Sequence, residues 1–143
     1  MKAYEQGGCG ACTVLVAEAP GRLRAVPACL TPVLACHGWA LQTVEAEQDS
    51  GQLQRALAAQ HGSQCGFCSP GIVMVGRRLL QDRTLSPHQL ERGMAGNICR
   101  CTGYRPVLDA VKLAAQEPPD IEEIGGWVCP ARAAQGETSV SPF

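Results

Sequence analysis

Two tight cysteine pairs offer four thiols to one centre. They are Cys65 and Cys68 in His61-Gly-Ser-Gln-Cys-Gly-Phe-Cys-Ser-Pro-Gly71, and Cys99 and Cys101 in Gly96-Asn-Ile-Cys-Arg-Cys-Thr-Gly-Tyr104. Four thiolates suffice to hold one [2Fe–2S] cluster or one zinc ion. Each pair stands just before a stretch with helical periodicity. Sulfurs there feel the positive end of a helix dipole, which favours the charged, metal-binding form. Gly66 and Gly103 permit the tight turns this needs, and such turns weigh against four free thiols packed as small apolar groups. Spacing alone leaves iron–sulfur and zinc both open.

A second set lies upstream. Gly8-Cys-Gly-Ala-Cys-Thr13 followed by Cys29 fits three positions of the plant-type pattern C-x4-C-x2-C with a distant fourth cysteine. Cys9 and Cys12 form the C-x2-C and Cys29 the distant ligand. The first position falls on Tyr4, whose phenol titrates near 10 and is a poor substitute for a thiolate. Cys36 reads as a packed thiol, and Cys129, in the tail, as an incidental one. His37, His61 and His88 are scattered, which suits surface or capping roles. Phe67 stands where an apolar shield would tune a cluster. Arg100, between two ligands, either favours a more negative reduced state or simply faces solvent. No Ser/His/Asp arrangement or paired-carboxylate pattern stands out, and Gly7-Gly-Cys-Gly10 lacks the Lys-Ser/Thr of a phosphate loop.

The elements that must position these groups divide the chain of 143 residues. Cys12–Ala17 is apolar and rich in valine, so it reads as a strand. Leu23–Val26 returns after a turn at Gly21-Arg22, and Leu41–Glu45 alternates as a third strand. A helical turn is expected within Pro27–Ala35. From residue 50 the periodicity becomes helical. Ser50 caps a helix through Gln60 with Leu53, Ala56 and Leu57 inward. Pro70 opens a second helix carrying Ile72, Val75, Gly76, Leu79 and Leu80 on one stripe. Ser86-Pro87 starts a third, running to about Ala95. Tyr104-Arg-Pro106 opens a fourth with Val107, Leu108, Val111 and Ala115 inward. Residues 117–143 read as a linker or tail.

Composition narrows the class. With 45% hydrophobic but only 4% aromatic residues, two small cores would be thin, and metal cross-links would help. The net charge of −1 points away from nucleic acid and anionic membrane as partners. No apolar run approaches a membrane span, and the N-terminal residues lack the apolar core of a secretory signal. Nine cysteines, an odd number, argue against a disulfide framework. The expected setting is a reducing cytoplasm.

These segments resemble the iron–sulfur portion of the molybdenum hydroxylases, the xanthine dehydrogenase and aldehyde oxidase family. The resemblance is carried by Gln6–Leu15, Ala28–Pro32, Thr43-Val-Glu45, His61–Met74 and Gly96–Pro106. It implies an α+β chain: an incomplete ferredoxin-like β-grasp module at 1–48, a four-helix [2Fe–2S] domain at 49–117 and a linker at 118–143. It implies one [2Fe–2S] cluster on Cys65, Cys68, Cys99 and Cys101, and a second, one ligand short, on Cys9, Cys12 and Cys29. Gln64 matches a residue that hydrogen-bonds the pterin, and Cys101 the ligand nearest it. Electrons would pass from molybdopterin through the helical and then the plant-type cluster to FAD. Both end cofactors would sit on other domains, of the same chain or of other subunits, in a homodimeric parent enzyme. The family's first module begins with roughly forty residues more than this chain, including the first cysteine, so a truncated form is expected. A zinc-stapled interaction domain and a non-functional fragment are the rival readings.

Overall fold

Thr13 to Ala17 is uninterrupted by charge, which suits a strand covered on both faces. A computed structural model describes residues 5–17, 23–46 and 51–116, and in it this run is the central strand. Strands β1 (Thr13–Ala17), β2 (Leu23–Pro27) and β3 (Ala40–Gln42) form an antiparallel sheet in the order β2-β1-β3. Leu15 stands opposite Ala25 on one side and Gln42 on the other. Leu15 and its neighbour Val16 are both fully buried.

The third strand is shorter than its alternation suggests. It stops at Gln42, and Val44–Ala46 coils into a 3-10 turn closed by the Ala46 N–H on the Thr43 carbonyl at 3.1 Å. That local bond forms before the ladder passes Leu15. The helical turn expected within Pro27–Ala35 is two 3-10 turns, Ala28–Leu30 and Val33–Cys36. Each follows a proline, which cannot donate to a ladder. The Gly21-Arg22 turn, the Ser50 cap, Tyr4, Cys129 and the tail lie outside the described residues.

Four helices follow: α1 (Gln52–Ala59), α2 (Ser69–Leu80), α3 (Pro87–Gly93) and α4 (Arg105–Gln116). In α1 the buried face holds Leu53, Ala56 and Leu57 as expected. The α4 face is turned slightly: Val107, Ala110, Val111 and Ala114 are buried, whereas Leu108 and Ala115 sit at the margin. The larger departure is α2. Gly71, Ile72, Val73 and Met74 are buried in succession rather than on one stripe. The cause is position, since α2 lies against β1 and β2 and also touches the other three helices. Leu15 and Leu23 from the sheet therefore share one apolar cluster with side chains of all four helices. The Gln52 side-chain amide ties α1 to the Ala114 carbonyl of α4 at 2.7 Å. Among the described residues no helix is long and apolar enough to cross a membrane.

Helix α3 opens on a capping box. The Ser86 hydroxyl accepts from the Gln89 N–H at 3.3 Å, and the Ser86 N–H donates to Gln89 Oε1 at 2.8 Å. The helix ends at Gly93, short of Ala95, and a left-handed Gly96 (φ +102) redirects the chain into the second cysteine loop. Ser86→Ala should lower stability by about 1 kcal/mol, read as a shift in the urea midpoint at unchanged slope. An unmoved midpoint would show that the cap contributes nothing.

Candidate metal centre

The first cysteine loop is launched by the end of α1. His61 takes a left-handed φ of 56, and the Gly62 N–H returns to the Leu57 carbonyl at 2.7 Å. His61 thus terminates the helix, in keeping with a capping role. The Ser63 and Ser69 hydroxyls meet at 2.7 Å and hold the two ends of the loop together. Between them Gly66 turns at φ +81. Phe67 offers its backbone N–H to the Cys65 sulfur. Phe67 itself is half exposed, at 50%.

The second loop joins α3 to α4. Gly103 and Tyr104 are consecutive left-handed residues (φ +67 and +69), which fold the chain back on itself. The Tyr104 hydroxyl thereby accepts the Cys99 N–H at 3.0 Å. Thr102 Oγ1 accepts the Tyr104 N–H at 3.2 Å and lies 3.0 Å from Cys99 Sγ. This threonine contact is one of the causes that lower the Cys99 thiol. Spacing alone points to Tyr104 as the opening of a helix and to neither Tyr104 nor Thr102 as a partner of Cys99. The signal was their place directly after Cys101, where a buried thiolate needs donors.

The structure brings all four cysteines of these loops together as two hydrogen-bonded pairs. Cys65 and Cys101 are exposed, and Cys101 donates to Cys65. Cys68 and Cys99 are buried, and Cys68 donates to Cys99. The Cys65 thiol is lowered by the Phe67 N–H and by Cys101. Burial raises Cys99, but the Thr102 hydroxyl and N–H and the Cys68 thiol outweigh it, so that it too is lowered. Cys68 is pushed up to about 12 by burial and by Cys99 beside it. Cys101 is raised by its bond to Cys65. Within each pair one thiol is lowered and the other raised. Among the described residues no three His, Cys, Asp or Glu side chains converge on the position of a single metal ion. Gln64 and Arg100 are exposed beside the outer pair.

The upstream set is less gathered. Cys12 and Cys29 hydrogen-bond, which raises the exposed Cys29 thiol. Cys9 is buried, and its carbonyl accepts the Ile98 N–H at 2.9 Å, so the two cysteine regions touch through backbone. Cys36 turns away to the Pro32 carbonyl, 3.6 Å from its sulfur. His37 and His88 are exposed.

Residues 43–112 match the family described as the [2Fe-2S] binding domain. The chain is 48% identical over 122 residues to a xanthine dehydrogenase of Drosophila subobscura, covering 78% of this chain and 9% of that protein. It is 48% identical over 116 residues to aldehyde oxidase 1 of Cavia porcellus, covering 74% of this chain and 9% of that protein. It thus spans under a tenth of the length of these relatives. Among solved structures, quinoline 2-oxidoreductase from Pseudomonas putida 86 superposes with a TM-score of 0.71 at 31% identity. That match covers 90% of this chain and 76% of the other.

Proposed function

This chain belongs to the molybdenum hydroxylase family of xanthine dehydrogenases and aldehyde oxidases, and from that premise we propose that it is the family's electron-transfer module, working between a molybdopterin site and FAD. The observation that carries the reading is the gathering of four thiols as two pairs. Two pairs suit two metal atoms with two thiolates each better than one ion with four. Cys65 and Cys101 would hold one iron, and Cys68 and Cys99 the other. When bound, a [2Fe–2S] cluster accepts and returns one electron at a time.

The chain's own residues supply the rest. The Phe67 N–H and the Thr102 hydroxyl donate to ligand sulfurs, as second-layer partners of a redox centre do. Tyr104 holds the Cys99 backbone, so the buried ligand cannot drift. The exposed pair, with Gln64 beside it, is the side offered to a molybdopterin domain. The buried pair faces the upstream cysteines, the side offered towards FAD. Cys9, Cys12 and Cys29 would provide three ligands of a second cluster. In this reading residues 1–48 belong to a β-grasp module, 49–117 to the helical cluster domain and 118–143 to a linker. The parent enzyme would be a cytoplasmic homodimer.

Anaerobic reconstitution with iron and sulfide tests the reading. The expected product is reddish-brown, holds roughly two irons and two sulfides for the helical site, bleaches with dithionite and then gives an EPR signal. A second distinct signal would report the upstream cluster. A colourless protein that takes zinc and retains no acid-labile sulfide would favour the structural staple and defeat the relay.

A further inference from the structure

The Cys9–Gly10–Ala11 segment meets the helical thiol set at two points where side chains are missing. A methyl group on Gly71, in the first turn of α2, would overlap the Gly10 carbonyl oxygen. That oxygen is not free to swing aside. It accepts the Thr13 N–H at 3.1 Å and the Thr13 hydroxyl at 2.7 Å. On the opposite side Gly10 adopts φ +73, and a methyl group there would lie 2.6 Å from Asn97 Oδ1 and 2.8 Å from the Gly96 carbonyl oxygen. Asn97 is only 8% exposed, and its Oδ1 has no conventional hydrogen-bond donor. The space a Gly10 side chain would fill is the space this oxygen occupies. One residue further on, the Ile98 N–H reaches the Cys9 carbonyl at 2.9 Å.

We propose that this segment is a fitted cover over the inner thiols Cys68 and Cys99, seated by the positioning residues Gly10 and Gly71, and that it lowers the reduction potential of the centre those thiols hold. The inference rests on the electron-relay reading. Gly71 stands three residues after Cys68, and Asn97 and Ile98 directly precede Cys99, so the cover lies on the chain flanking both buried sulfurs. Those sulfurs are 8% and 6% exposed as residues, while their partners Cys65 and Cys101 are open. Reduction adds one negative charge, and water, which can donate hydrogen bonds to it, stabilises that charge better than a segment that presents carbonyl oxygens and Ala11 in its place. Removing water from one side therefore makes reduction harder. A loosened cover must move the potential upward.

Gly71→Ala in the iron-loaded chain tests this. In a redox titration followed by EPR, the one-electron equilibrium should shift about tenfold towards the reduced form, which is about 59 mV. By mass spectrometry the Ile98 amide should exchange at least about tenfold faster, while amides inside α1 keep their wild-type rates. Gly76→Ala is the control. It lies on the same helix, and its methyl group would meet the end of the Leu53 side chain rather than backbone. It should move neither reading, and an equal shift there would reduce the proposal to general loosening and overturn it. If Gly71→Ala does not fold, Gly10→Ala strikes the same joint from the Asn97 side and decides by the same two measurements. A wild-type potential in the loaded variant overturns the proposal, whatever Ile98 exchange does. A wild-type chain that binds no iron and sulfide defeats the relay reading instead, and Ile98 exchange in that chain still tests the seat.

Discussion

Cys99→Ser should strip the helical centre of its iron and sulfide, while Cys36→Ser should leave both in place. Cys99 is the most constrained of the four thiols. Its N–H is taken by the Tyr104 hydroxyl, its sulfur receives Thr102, and its pair partner Cys68 donates to it. A serine keeps the shape but offers a hydroxyl that does not ionise as a thiol does at neutral pH. The loss does not stop at one ligand. Without metal, Cys68 is held protonated, with its thiol pushed up to about 12 by burial and by Cys99. Metal must displace that proton, and it does so more easily when both sulfurs of the pair can bind. Removing one sulfur thus weakens the other. The expected fall in labile sulfide exceeds the roughly 10–100-fold in affinity that a partner one bond further out carries. Cys36, bonded locally to Pro32, lies outside both sets. Reconstituted Cys99→Ser that retains its full iron and sulfide would falsify the assignment of this thiol as a ligand.

What could be read in the chain before folding was local. The two cysteine pairs announce themselves by spacing, and Pro70 and Ser86-Pro87 mark helix starts because their chemistry acts within one turn. The site's donors were hidden for a different reason. Thr102 and Tyr104 become partners of Cys99 only because two left-handed residues in a row reverse the chain, and no periodicity encodes that reversal. Contacts distant in sequence were hidden altogether. Nothing local ties Cys9 to Ile98 or Gly10 to Gly71, yet those contacts press the two cysteine regions together. The α2 stripe misled because periodicity shows which face can be buried, not how many neighbours a helix acquires. Val73 and Met74 are buried by the sheet and the other helices acting together. The family resemblance rests on the local motifs, so it was legible from the same residues that carried the metal chemistry.

Leu15→Ala should unfold the helices more easily, although Leu15 is a strand residue. Its side chain is fully buried at the centre of β1 and belongs to the same apolar cluster as Ile72, Met74 and Val111. Truncation removes three side-chain carbons and leaves a cavity, at a cost of about 2–5 kcal/mol. Small domains hold only about 5–15 kcal/mol in total, so this is a large fraction. The reach of the effect depends on α2, which presents residues to the sheet and also carries Cys68 at its N-cap. In the iron-loaded protein, urea unfolding followed by far-UV circular dichroism should therefore move to a lower midpoint with little change in slope. Bleaching of the visible cluster absorption should move with it, because one cooperative core is being lost. If the sheet were only an appendage, Leu15→Ala would leave the dichroism and cluster midpoints at their wild-type values. That result would separate the strands from the helical centre energetically, and the upstream cysteines would then hold their place beside Cys99 only through the backbone contacts of Cys9 and Gly10.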